Sequence, residues 1–131
     1  MRNKLLGTGE TGYHPLRKIQ VILSGLRYAI RYDFSFAYKF YLSLGLLLAC
    51  FFLRQWVDFL FIMAATVLVL IAELFNSAIE AVCDFVETKE NEKIKIIKDI
   101  SAAAGGLAIL YWAVVMLVEL SRLWSVVVGY E

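Results

Sequence analysis

The stretch WVDFLFIMAATVLVLIAELFNSAIEAV, Trp56 to Val82, decides the fold. It is apolar for longer than the roughly 20 residues that a helix needs to cross a bilayer. Working outward, the apolar segment 34–53 precedes it and the apolar segment 100–124 follows it, so three transmembrane helices are expected at 34–53, 56–82 and 100–124. Only Arg54 and Gln55 separate the first two, which makes them an antiparallel hairpin. The whole chain agrees: 131 residues, 61% hydrophobic and 19% charged, with a mean hydropathy of +0.71, are too apolar for a soluble domain. Three spans use up most of that length, so no soluble catalytic domain is expected and any chemistry has to occur in or at the bilayer.

The charges support that reading by what they exclude and where they fall. A formal net charge of +1 leaves no excess of cations to displace the counterions of a nucleic acid, so no nucleic-acid partner is expected. On the first side fall Arg2, Lys4, Arg17, Lys18, Arg27, Arg31 and Lys39, counted before the first span, together with Lys89, Lys93, Lys95 and Lys98 in the charged connection between the second and third. Arg54 and Arg122 alone stand at the opposite ends. The positive-inside rule then puts the N-terminus and the second connection in the cytoplasm of a multi-pass protein, and Tyr and Trp near the span ends fit an interfacial belt. No cleavable signal peptide precedes Phe34, so the chain is expected to insert uncleaved. Cys50 and Cys83 lie in apolar segments without CxxC spacing and read as small core residues.

Residues 1–14 read as a flexible N-terminus. Gly7-Thr8-Gly9-Glu10-Thr11-Gly12 matches GxGxxG in form, but a dinucleotide loop needs a strand before it and a βαβ unit around it, and neither is present in the pattern. From Pro15 the apolar residues Leu16, Ile19, Ile22, Leu23, Leu26 and Ile30 recur at helical spacing among Arg17, Lys18, Arg27 and Arg31. This predicts an amphipathic basic helix over 15–32, lying on the membrane surface or across the ends of the other helices.

The chemistry is concentrated in the second span. With Glu73 at zero and about 100° per residue, Asn76 falls near −60°, Glu80 near −20° and Asp84 near +20°. One helix face therefore carries three carboxylates and an amide, although an unpaired carboxylate in a bilayer costs about 2.5 kcal/mol or more. Such a stripe either pairs with cations of neighbouring helices to lock an assembly, or lines a hydrated site. Acids able to hold a divalent cation, with one more acid one to two turns deeper, are what phosphoryl transfer to a membrane-embedded hydroxyl requires. Lys98-Asp99 opens the third span beside the same face, where a lysine can meet phosphate oxygens. Asp33 stands at the same interface, between the basic helix and the first span, as a ligand or as an ordinary helix N-cap. No Walker loop or kinase-type catalytic loop occurs.

Glu73-x-x-Asn76-Ser77-Ala78-Ile79-Glu80-Ala81-Val82-x-Asp84, followed by Lys98-Asp99-x-x-Ala102-Ala103, resembles the signature of the prokaryotic diacylglycerol kinase family, which includes undecaprenol kinases. Thr11-Gly12-Tyr13 and Gly25-Leu26-Arg27 resemble that family's N-terminal region, so the likeness extends over nearly the whole chain. The resemblance implies a homotrimer of three-span subunits in the bacterial inner membrane, with a surface helix, transferring the γ-phosphate of ATP to a lipid alcohol with Mg²⁺. Carried over by position, Glu73 is the general base and Asn76 the polar residue beside it. Glu80 and Asp33 bind the metal, and Lys98, Asp99 and Arg17 contact the nucleotide. Where the family has glutamate this chain has Asp33, one methylene shorter, which brings a metal closer to the first span or holds it through water.

Two substrates and two other classes of function remain, one of the latter being a purely structural membrane subunit, which the acid stripe disfavours. The wording of Asn76 to Val82 resembles the diacylglycerol-specific members, whose product is phosphatidic acid for phospholipid biosynthesis, whereas the lysine-rich connection resembles the undecaprenol-specific ones. A small transporter using Glu73 as its exchange site would need the buried acid but neither Lys98-Asp99 nor Asp33.

Overall fold

A computed structural model describes residues 12–129, and these form an all-helical chain of four helices. They are α1 (Pro15–Tyr32), α2 (Phe34–Phe52), α3 (Trp56–Val86) and α4 (Glu92–Val128). The last three are long and apolar enough to cross a membrane. The N-terminal glycine motif lies outside the described residues except for Gly12, as do Arg2, Lys4 and most of the expected flexible terminus.

Pro15 begins α1, where its missing N–H costs nothing and its fixed φ suits the first turn. The helix forms where the periodicity places it, but none of its residues is buried by the rest of the chain. Leu16, Ile19, Ile22 and Leu23 are exposed, and only Leu26, Ala29 and Ile30, near the junction with α2, are half-buried. A single extended residue, Asp33, separates α1 from α2. Its N–H still bonds Ala29 O at 2.9 Å, while its side chain starts the next helix.

The α2–α3 hairpin turns through Arg54, whose φ of 56° is in the left-handed region that closes many helices. The second link differs from the sequence expectation. In place of a connection running from Asp84 to Asp99, α3 continues to Val86 and α4 begins at Glu92, leaving 87–91 as the non-helical link. The charged segment Glu92-Lys93-Ile94-Lys95 propagates helix well, and Asn91 caps it by accepting from Lys93 N at 3.0 Å and Ile94 N at 3.4 Å. At 37 residues, α4 is about 55 Å long, so its first turns extend beyond a hydrocarbon core of about 30 Å.

Helices α3 and α4 pack along their length, with α2 against α3. In mid-bundle, Ala65 and Val69 of α3 meet Ala108 and Trp112 of α4, the alanines letting the backbones approach. Trp112 Nε1 donates to Ser43 Oγ at 2.8 Å, which ties α4 to α2 without leaving the indole unsatisfied. Toward the α2–α3 turn, Cys50, Ile62 and Leu123 form a second apolar cluster, and both cysteines are buried and unpaired by disulfide. At that same end Asp58, 4% exposed, accepts from Arg122 Nε at 2.9 Å. Glu119 lies beside them, with Oε2 3.9 Å from Arg122 Nε, buried and without a hydrogen bond.

The Asp58–Arg122 pair joins the start of α3 to the end of α4. Removing one partner of a fully buried pair costs about 3–5 kcal/mol, and the 62% exposure of the Arg122 side chain scales this down to about 1–2 kcal/mol. Arg122→Met should therefore lower the unfolding midpoint in detergent micelles, and combining it with Asp58→Asn should recover part of the loss. An unchanged midpoint would show that this pair does not hold the helices together.

Candidate functional site

At the opposite end of the bundle, the start of α2, the C-terminal half of α3 and the start of α4 converge. Glu73 is 6% exposed, and its Oε1 lies 2.8 Å from Nζ of Lys39, a side chain with no exposed surface at all. The ammonium also donates to Ser35 Oγ at 2.6 Å and Ser35 O at 3.1 Å. Ser35 and Lys39 are one turn apart on α2, so one helix face supplies both an internal acceptor for the cation and the cation itself for α3. Lys39 is thus corrected from a charge at the cytoplasmic surface to a charge inside the bundle. Its low dielectric surroundings require a countercharge, and Glu73 is that countercharge.

One turn along α3 from Glu73, Ser77 Oγ donates to Asp33 Oδ2 at 2.9 Å. Asp33 Oδ1 accepts from Phe36 N at 3.2 Å, so the residue caps α2 with one oxygen and joins α3 with the other. Capping accounts for the short side chain: aspartate reaches the N–H groups of the first turn, a position for which glutamate is poorly suited. Each oxygen keeps a further lone pair available, and the cap does not exhaust the carboxylate.

Asn76 is held from both sides. Its Oδ1 accepts from Ser101 Oγ of α4 at 2.8 Å, and its Nδ2 donates to Glu80 Oε1 at 3.4 Å. Asp84, farther out, pairs with Lys98 at 2.6 Å, both side chains reaching solvent. From Glu73 to Asp84 the polar face runs about 16 Å along α3, passing from the buried interior to an open cleft of about 690 Å³. Asp84, Lys95 and Lys98 are among the residues that line this cleft.

Five sequence candidates, Asp33, Glu73, Asn76, Glu80 and Lys98, therefore lie along one polar surface of α3 and its partners, buried at Glu73 and open at Lys98. Asp99 is exposed on α4 and makes no ion pair with a described residue. Arg17 sits near the start of α1, about 24 Å along that helix from Asp33. Four members of the surface were not anticipated: Ser35, Lys39, Ser77 and Ser101. A lone lysine within an apolar span, four residues from Ser35 and four from Ser43, was a visible signal that it faces a buried acid. The serines carry no such signal, since single hydroxyls are common in membrane helices.

Among the described residues no group of three or more His, Cys, Asp and Glu side chains is gathered as a metal cage. Asp33 accepts from Ser77, and Glu80, which accepts from Asn76, lies one turn beyond Ser77 on α3. These two carboxylates could hold a hard cation such as Mg²⁺ only with water or phosphate completing its shell.

The family model for prokaryotic diacylglycerol kinase matches residues 20–120, which include every member of this polar surface. A search of the curated proteins finds no match.

Ser101→Ala should leave Asn76 Oδ1 without its donor and lower the unfolding midpoint by the equivalent of about 1 kcal/mol. A midpoint equal to that of the unaltered protein would mean that Ser101 does not hold Asn76 in place.

Proposed function

The chain belongs to the prokaryotic diacylglycerol kinase family and is a membrane lipid kinase, and we propose that it phosphorylates diacylglycerol to phosphatidic acid with ATP and Mg²⁺. The observation that carries this reading is the polar face of α3. It places a buried carboxylate, Glu73, about 10 Å along the helix from Glu80, with Asp33 reaching the same face between them. The separation suits two substrates of opposite solubility. The nucleotide arrives from water at the outer acids, and the lipid hydroxyl lies deeper, at the headgroup boundary.

In this mechanism Glu73 accepts the proton of the lipid hydroxyl as its oxygen attacks the γ-phosphorus. The new bond is from that oxygen to phosphorus, the bond broken is the β–γ bridge, and ADP leaves with the electron pair. Asp33 and Glu80 would hold Mg²⁺, which would neutralise charge on the transferring phosphates. Lys98 and Asp99, with Arg17, contact the nucleotide, Lys98 as a point charge at the open cleft. Asn76, fixed by Ser101, orients Glu80.

A homotrimer provides cover for α1, whose apolar residues the chain itself leaves exposed. Placement in the bacterial inner membrane rests on the family, and the cytoplasmic N-terminus on the charge bias. Without Lys39, ten Lys and Arg residues remain on the site's side, against Arg54 and Arg122. For the substrate, the Asn76–Val82 wording supports diacylglycerol. Presented separately in mixed micelles, diacylglycerol should be phosphorylated at least about tenfold faster than undecaprenol, equivalent to about 1.4 kcal/mol in the barrier. The reverse order would assign undecaprenol.

Glu73→Gln keeps the size of the side chain and removes the proton acceptor, so turnover should fall by about 10²-fold or more while ATP and lipid still bind. Near-normal turnover would remove Glu73 as base. Glu80→Gln should abolish activity and Asp33→Asn should reduce it strongly with assembly intact, whereas normal phosphate transfer by either would refute the metal assignment. Lys98→Ala should raise the ATP concentration needed for half-maximal rate, and an unchanged ATP dependence would take Lys98 out of the site.

A further inference from the structure

The ammonium of Lys39 has three protons and three acceptors: Glu73 Oε1 at 2.8 Å, Ser35 Oγ at 2.6 Å and Ser35 O at 3.1 Å. It is fully buried, so it has neither a spare donor nor a path to a phosphate. Whatever it contributes to catalysis passes through Glu73. The contacts on that carboxylate are asymmetric. Lys39 donates to Oε1, and Ser35 Oγ stands 3.5 Å from the same oxygen, while Oε2 receives no hydrogen bond from a described residue.

We propose that Lys39 is a positioning residue for phosphoryl transfer, pinning Oε1 of Glu73 so that Oε2 is the oxygen presented to the lipid hydroxyl. The proposal rests on the assignment of Glu73 as base. Two bridges between α2 and α3 define the geometry. Lys39 meets Glu73, and one turn along α3 Asp33 meets Ser77, so α2 cannot rotate about its axis without breaking one of them. A free carboxylate would sample many orientations about χ3. A carboxylate with one oxygen clamped by a satisfied ammonium samples few, and misplacement of a reacting group by about 1 Å costs on the order of 10²-fold in rate. The ammonium also supplies the countercharge that a carboxylate at this depth requires.

Steady-state kinetics on Lys39→Met, Glu73→Gln, the double variant and Lys39→Arg test this, with oligomeric state and unfolding midpoint measured on each preparation. Lys39→Met should lower kcat by about 10- to 100-fold, with KM for ATP and for diacylglycerol unchanged within twofold. Lys39→Arg should recover most of the loss, because it restores a cationic donor to Oε1. On the Glu73→Gln background Lys39→Met should add nothing, since both act through one carboxylate. A lysine that only braces the bundle predicts a lower midpoint or lost assembly with normal kcat in the folded fraction, and that result overturns the proposal, as does full additivity in the double variant. Should Lys39→Met fail to assemble, Lys39→Gln, neutral and too short to reach Oε1 from the same backbone position, takes its place under the same criteria. Slow Glu73→Gln with normal Lys39→Met refutes the positioning role alone. Normal Glu73→Gln refutes the base assignment, and the positioning role with it.

Discussion

A charge inside an apolar helix bundle must find its counterion within the bundle, and the ion pair of Lys39 with Glu73 is where this chain meets that requirement. Neither residue is tolerable alone at this depth. Together they set the rotation of α2 about its axis and its register on α3, because a displacement by one residue would turn Lys39 about 100° away from the acid. That register brings Asp33 onto Ser77 and Ser35 against the ammonium. The same contact that makes the bundle specific also builds the site.

The polar contacts then divide by position along the helices. At one end Asp33–Ser77, Asn76–Ser101 and Asp84–Lys98 form a ladder from a buried carboxylate to an open cleft, each rung joining two helices. At the other, Asp58 and Arg122 close the bundle beside Glu119. Between them lie small and aliphatic residues and the Trp112–Ser43 bond. The helix ends are therefore fastened by charge and the middle by packing, and only the end with graded burial from Glu73 to Asp84 offers both a dry position for a base and a wet position for a nucleotide.

Much of this was legible in the sequence because long apolar runs and a helical period are strong signals. The three long helices start within a few residues of the expected apolar boundaries, except α4, which begins eight residues before Ile100. There a run of charges resembles a loop in hydropathy, although Glu and Lys favour helix and Asn91 is a good cap. The acid stripe was visible because four positions share a face through arithmetic alone. Its partners were not, since which side chain of α2 meets which of α3 depends on the register of two helices. Lys39 is indistinguishable from the surface cations by charge alone for that reason, and only its place five residues inside an apolar segment sets it apart. Asp33 combined both cases: its junction position pointed to a cap, and its second contact, with Ser77, lies 44 residues away.

Phosphate transfer from ATP to a lipid alcohol is proposed to depend on the buried carboxylate of Glu73 and two outer acids, Glu80 on the same face of α3 and Asp33 reaching that face from the start of α2. Its most direct measurement is the appearance of label in the lipid phase when the purified protein, in mixed micelles of detergent and diacylglycerol, is given ATP labelled at the γ-phosphate, with and without Mg²⁺. Labelled phosphatidic acid formed only with the metal, in step with ADP release, is the predicted result. ATP hydrolysis to free phosphate without labelled lipid, or no consumption of ATP with either lipid alcohol, would contradict it.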